Sequence, residues 1–121
     1  EMKMKVLVVD DSKAMRMIVR RALRQTGLDL DVSEAENGQA AFHQPTETRF
    51  DFVLSDWNMP EMNGYELLQR IKAEGIPVKL GFVTSESTDE MRSQARSAGA
   101  EFLISKPFTP EILSERLSPY A

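Results

Sequence analysis

The chain has no cysteine and only one histidine, His43. Disulfides, thiolate nucleophiles, iron–sulfur clusters and cysteine zinc sites are therefore excluded. A lone imidazole supplies neither a metal cage nor a conventional hydrolase base. Long apolar runs are missing too. Val6-Leu7-Val8-Val9 stops at Asp10, far short of a secretory core or of the roughly 20 residues that span a membrane. Basic charge is also scarce: 15 Lys plus Arg against 19 Asp plus Glu give a net charge of -4. Such a chain lacks the electrostatic footprint of a direct nucleic-acid binder. The expectation is a cytoplasmic protein without membrane or direct nucleic-acid contact.

What is present is an ordinary globular composition, 41% hydrophobic and 28% charged, which argues against disorder. With 121 residues the chain has enough length for one compact core, so residues 1–121 read as a single domain. Short apolar runs alternate with stretches of helical period. Val6 to Val9 reads as a buried strand. Met15, Ile18, Val19, Ala22 and Leu23 then fall on one helix face, ending by Gly27. Leu30 to Ala35 reads as a second strand, 38–44 as a weaker helix that Pro45 should end, and Phe50 to Leu54 as a third strand. A turn-rich loop, Trp57 to Asn63, leads to a helix carrying Gly64, Leu67, Leu68 and Ile71 on one face. Val78 to Val83 is the fourth strand. Ser87-Thr88-Asp89-Glu90 has capping-box spacing for a helix that Gly99 stops. Phe102 to Ile104 is the fifth strand, and Thr109-Pro110 opens a last helix through Leu117. Five apolar strands alternating with five helices imply a doubly wound α/β fold, a parallel sheet covered on both faces.

The polar residues that end these strands carry the functional signal. Strand one runs into Asp10 and Asp11, strand three into Asp56, strand four into Thr84 and strand five into Lys106. Ligands of open parallel sheets bind beyond the carboxyl ends of the strands, so these five should meet. Three carboxylates repel one another unless a cation or proton intervenes. Oxygen donors with no cysteine or nearby histidine favour Mg2+, which keeps several waters. A magnesium ion beside a lysine suits a phosphoryl group: Lys106 would neutralise its oxygens, Thr84 would donate a hydrogen bond, and a remaining carboxylate could be the nucleophile. Taken singly, each residue has a plainer role. Asp10, Asp11 and Ser12 could cap a helix, Asp56 could hold a turn, and Thr84 and Lys106 could be ordinary strand-end groups. The joint pattern on four strand ends is what chance does not readily supply.

Four segments resemble the receiver domain of two-component response regulators: Val6 to Ser12, Asp56 to Gly64, Val83-Thr84-Ser85 and Lys106-Pro107-Phe108. They follow the family's order and spacing over nearly the whole chain, and are most similar to stand-alone chemotaxis regulators of the CheY type. The resemblance implies a flavodoxin-like (βα)5 sheet of strand order 2-1-3-4-5, for which that regulator is the standard example. It implies that Asp56 accepts a phosphoryl group from a sensor histidine kinase or phosphotransfer protein. It further implies Mg2+ held by Asp11, Asp56 and the backbone carbonyl of Asn58, with Asp10 acting through water. Lys106 would contact a phosphoryl oxygen and Thr84 would move toward it. Ser85 would leave the site open, Asn58 and Glu86 would influence phosphoryl lifetime, and Lys106–Pro107 would be a cis peptide.

One departure concerns the switch. Three residues before its site lysine the family usually has Tyr or Phe; here the position is Leu103, with Phe102 one step earlier and hence on the opposite face. Coupling from Thr84 would then run through aliphatic packing. The kinase would dock near the first helix, around Met15, Arg16 and Val19. Output would leave by the α4–β5–α5 surface, toward a flagellar motor or another target. The protein would be a regulator that assists its own phosphorylation and dephosphorylation, not a metabolic enzyme. A haloacid-dehalogenase-type phosphatase would need Asp-x-Asp after strand one, where Asp10-Asp11-Ser12-Lys13 stands. A flavin carrier would need a Ser/Thr/Gly-rich loop after Val9. An interaction module indifferent to phosphorylation is the remaining alternative.

Overall fold

The computed structural model of the chain describes residues 3–47 and 49–121. Among these, five strands alternate with five helices: β1 Met4–Val9, α1 Lys13–Arg24, β2 Leu30–Ala35, α2 Gly38–Glu47, β3 Phe52–Ser55, α3 Gly64–Ala73, β4 Lys79–Thr84, α4 Asp89–Ala98, β5 Leu103–Ser105 and α5 Pro110–Leu117. A 3-10 turn, Ser118–Tyr120, comes last. The strands form one parallel sheet in the order β2-β1-β3-β4-β5. This is the doubly wound, flavodoxin-like arrangement that the alternation of strands and helices and the family resemblance imply.

Alternation along the strands builds two cores. Leu7 and Val9 of β1 face one way, joining Leu67, Leu68 and Ile71 of α3, Phe82 of β4 and Ala95 of α4. Val6 and Val8 face the other, joining Val19 and Leu23 of α1, Phe52 of β3, and Leu113 and Leu117 of α5. The period-2 geometry of a strand makes this division automatic once both faces are covered by helices. Capping side chains fix where the helices begin. Ser12 accepts from the Met15 N–H to start α1, Asn63 and Glu66 form a reciprocal capping box for α3, and Thr109 caps α5.

Two local expectations change. The cap of α4 is Thr88, which accepts from the Met91 N–H, so Ser87 and Glu90 form no capping box. The Ser87 hydroxyl is engaged elsewhere, with Ser105. Helix α2 runs through Pro45 to Glu47. Proline's fixed φ is itself helical, and in a last turn its missing N–H removes a single hydrogen bond, which does not force the chain out of the helix.

Phe102 explains an oddity in β4. A Cβ on Gly81 would lie 2.3 Å from Phe102 Cε1, so the glycine leaves room for this ring to lie over β4. There it stacks on Phe52 at 5.4 Å, and Phe52 meets Tyr120 at 5.2 Å. Leu103 points to the opposite core, as strand alternation requires. Gly81→Ala should therefore force the Phe102 ring out of its stack and lower stability by about 1–3 kcal/mol. Urea unfolding followed by circular dichroism checks this; an unchanged midpoint would mean that the ring has room to move.

Candidate functional site

Beyond the carboxyl ends of β1, β3, β4 and β5 the structure gathers the expected residues. Asp10 succeeds β1 and is buried, anchored by its N–H to the Ala35 carbonyl at 3.2 Å. Asp11 is exposed. Asp56 succeeds β3, its N–H donating to the Val9 carbonyl at 2.9 Å. Thr84 ends β4 with no exposure at all, and Lys106 succeeds β5 with its N–H donating to the Thr84 carbonyl at 2.8 Å. Adjacent strand ends in a parallel sheet are the cause of this convergence.

Lys106 is the hub. Its Nζ lies 3.2 Å from Asp10 Oδ2 and 3.6 Å from Asp56 Oδ2, with the three side chains only 13%, 6% and 11% exposed. The remaining carboxylate oxygens are also bound. Asp10 Oδ1 accepts from the Ser12 N–H at 2.9 Å, and Asp56 Oδ1 accepts from the Trp57 N–H at 2.7 Å. Burial nonetheless pushes the Asp56 carboxyl above its ordinary value of 3.8. Lys106 pulls against that rise, the charge on Asp10 adds to it, and the Trp57 and Asn58 N–H groups lower it.

Further contacts fix the backbone around these groups. A Cβ on Gly64 would lie 2.2 Å from the Asp56 carbonyl oxygen, so only glycine lets α3 begin against the β3 end. The Gly64 N–H closes the loop by donating to the Trp57 carbonyl at 2.8 Å. Trp57 is buried between Phe82 at 4.7 Å and Tyr65 at 5.4 Å. On the other side Arg16 donates through Nη1 to the Asp10 carbonyl at 2.7 Å while Nε meets Glu34 Oε1 at 2.8 Å. Sequence reasoning missed this brace, because nothing in the spacing of Arg16 and Glu34 announces that helix and strand will bring them together.

The carboxylates of Asp10, Asp11 and Asp56 each offer an oxygen within 4.8 Å of the others. Hard oxygen donors at that separation suit an octahedral Mg2+, whose trans ligands are about 4.2 Å apart at bonds near 2.1 Å. The residues present fit the ion. Asn58 and Ser85 lie exposed at the rim, as does Glu86, whose N–H donates to Thr84 Oγ1 at a long 3.4 Å. The Lys106–Pro107 peptide is cis.

Placed around such a cluster, the parallel sheet defines a class: the chain belongs to the response regulator receiver domain family, whose model matches residues 6–118. Within it the chain is similar to chemotaxis regulators. A chemotaxis protein CheY homolog of Campylobacter jejuni is 43% identical over 119 residues, covering 94% of this chain and 89% of that protein. The structure of Vibrio cholerae CheY4 superposes with a TM-score of 0.88 at 31% identity, covering 99% of this chain and all of that one. A BeF3-activated DrrB receiver domain gives 0.85 at 31% identity over 98% and 97% of the two chains. Receivers of this kind are signalling proteins of two-component systems, which work with histidine kinases and downstream targets, not classical enzymes.

The raised Asp56 carboxyl fixes the sign of a stability effect. The folded state holds this proton more tightly than the unfolded state, so the contribution is full below 3.8 and is lost as pH rises through the folded value. At pH 7 the ionised group opposes folding. Asp56→Asn removes that charge and should raise the melting temperature at pH 7, by a margin that shrinks toward pH 3.8. Thermal melts across that range test it; a variant less stable than wild type at pH 7 would refute the burial argument.

Proposed function

We propose that this chain is a phosphorylation-controlled switch in which Asp56 accepts a phosphoryl group from a histidine kinase or phosphotransfer protein. The observation that carries the reading is the meeting of three carboxylates with Lys106 Nζ, which lies 3.6 Å from Asp56 Oδ2. An Asp56 oxygen attacks the phosphorus of a phosphohistidine. The P–N bond breaks, its electron pair returns to the ring nitrogen, and the ring, protonated on its other nitrogen, leaves as neutral imidazole. The product is an acyl phosphate. Asp11, Asp56 and the Asn58 carbonyl would hold Mg2+, with Asp10 acting through water, and the ion would supply positive charge to offset that of the phosphoryl oxygens. Lys106 then exchanges Asp56 for a phosphoryl oxygen, and Thr84 turns its hydroxyl to another. Ser85 keeps the approach open, while Asn58 and Glu86 at the rim govern access of the water that ends the signal. The setting is the cytoplasm; among the described residues no helix is long and apolar enough to cross a membrane.

Two of the residues expected at the docking face of the first helix are engaged within the protein. Val19 is 3% exposed and belongs to the core, and Arg16 is committed to Asp10 and Glu34. Met17 and Ile18 of α1 and Ile112 of α5 are the large apolar side chains left exposed among the described residues. The kinase therefore docks along α1 beside α5, next to the site, with Ile18 as a central contact. Output leaves by α4, β5 and α5, toward a flagellar motor or another target protein.

Incubation with acetyl phosphate and measurement of intact mass should give one Mg2+-dependent phosphoryl adduct, absent from Asp56→Asn. Failure of both that adduct and a beryllofluoride response would favour an interaction module independent of phosphorylation. Trp57, whose N–H binds Asp56, should report Mg2+ by fluorescence. Removing even an outer partner of a metal ligand costs about 10–100-fold in affinity. Asp11→Ala should accordingly weaken the titration by at least about tenfold; an unchanged curve would refute the metal assignment.

A further inference from the structure

Between the site and the α4–β5–α5 surface lies a polar bridge that the sequence did not announce. The Ser105 hydroxyl, at the end of β5, donates to Ser87 Oγ at 2.6 Å. Arg92, in the first turn of α4, donates from Nη2 to Ser105 Oγ and from Nη1 to the Leu103 carbonyl, each at 3.2 Å. Ser105 is the register partner of Thr84, and the next residue, Lys106, bonds the Thr84 carbonyl. The loop from Thr84 to α4 is thus fastened at both ends to β5. Arg92 is exposed, yet among the described residues it pairs with no carboxylate, and both of its donors aim at β5. Leu103, where the resemblance led to an aromatic, is buried and offers the bridge only its backbone carbonyl.

We propose that Ser87, Ser105 and Arg92 are positioning residues that hold the loop after Thr84 away from Asp56, and so set how readily Asp56 takes a phosphoryl group. This rests on Asp56 being the phosphoacceptor. In the arrangement seen here Lys106 is bound to Asp10 and Asp56, and Thr84 Oγ1 accepts from the Glu86 N–H. For Thr84 to donate to a phosphoryl oxygen its side chain must turn inward, drawing Glu86 and Ser87 after it. Ser87 then separates from Ser105, and the Ser105 hydroxyl, no longer held by Ser87, ceases to be a fixed acceptor for Arg92 Nη2. The bridge opposes the inward loop, and the opposition is reciprocal. Whatever weakens the bridge favours the phosphoryl-bound arrangement, and phosphoryl binding loosens α4 from β5. Because the bridge touches Thr84 through β5 and the loop, and touches neither Asp10 nor Asp11, it acts on phosphoryl capture and not on the cation.

The test compares wild type with Ser105→Ala, Ser87→Ala, Arg92→Gln and Arg92→Lys. Each is measured for acetyl phosphate labelling rate, beryllofluoride affinity and Mg2+ affinity, the last two by Trp57 fluorescence. All four should label faster and bind beryllofluoride more tightly by about three- to tenfold, the range one or two hydrogen bonds supply. Mg2+ affinity without beryllofluoride should not change. Arg92→Lys keeps the charge but cannot span both acceptors, so it should behave like Arg92→Gln. If it behaves like wild type, surface charge is the cause and the bridge is not. Slower or unchanged labelling, or a lowered melting temperature with labelling and beryllofluoride affinity unaltered, would overturn the proposal. A wild-type protein that neither labels nor binds beryllofluoride would instead remove the phosphoacceptor reading, and the bridge proposal with it.

Discussion

The structure turns on the repulsion between Asp10 and Asp56, two nearly buried carboxylates held at the ends of adjacent strands. Left alone they would protonate or push β1 and β3 apart, because burial disfavours each charge and each disfavours the other. Lys106 arrives from the far side of Thr84 and takes an oxygen of both. The compensation is incomplete, as the raised Asp56 carboxyl shows. An acidic centre only partly neutralised by one ammonium remains receptive to a cation, and an ammonium shared between two carboxylates can be redirected. Both properties suit a site whose charge changes with a phosphoryl group.

The scaffold that enforces this meeting is rigid where the site needs it. Parallel pairing fixes β1 and β3 in register from Val6–Phe52 to Val9–Ser55, which sets the separation of Asp10 and Asp56 from backbone hydrogen bonds alone. Gly64 admits the start of α3 against the Asp56 carbonyl, and the capping box at Asn63 and Glu66 holds that start in place. On the opposite flank the Arg16–Glu34 pair ties the Asp10 carbonyl to α1 and β2. The flank formed by β5 and the loop after Thr84 is softer. The strand is short, and the loop carries exposed Ser85 and Glu86. The contacts of Thr84 Oγ1 and Arg92 are long, at 3.2–3.4 Å, whereas the Ser105–Ser87 side-chain bond is short, at 2.6 Å.

At the position where the resemblance led to an aromatic this chain has Leu103, and the aromatic one step earlier faces the other core. There Phe102 lies over Gly81 to join Phe52 and Tyr120, and so stabilises the sheet near its N-terminal edge. Leu103 packs with Phe82 and Ala95. Hydrogen bonds between hydroxyls and a guanidinium span the gap between loop, strand and helix. Such bonds are directional and individually weak in net terms, which makes them suited to being exchanged.

The apolar runs, their alternation and the cap residues sufficed to expose the strands and helices, because period and capping are local properties of the chain. Leu30–Ala35 and the helix begun by Thr109-Pro110 and running to Leu117 are legible in full, while boundaries elsewhere shift by one or two residues and α2 continues past Pro45. Asp10, Asp11, Asp56, Thr84 and Lys106 stood out because each closes a strand or comes just after one, and parallel sheets collect such ends. Which cap α4 uses, where Arg16 and Arg92 reach, and why Gly81 must lack a side chain belonged to tertiary structure. Those contacts join different helices, strands and loops, and no local pattern encodes which of several exposed polar groups will meet. Sequence alone therefore determined the elements and the chemistry at their ends; packing decided the partners, because partner choice depends on distances that exist only once the sheet has closed.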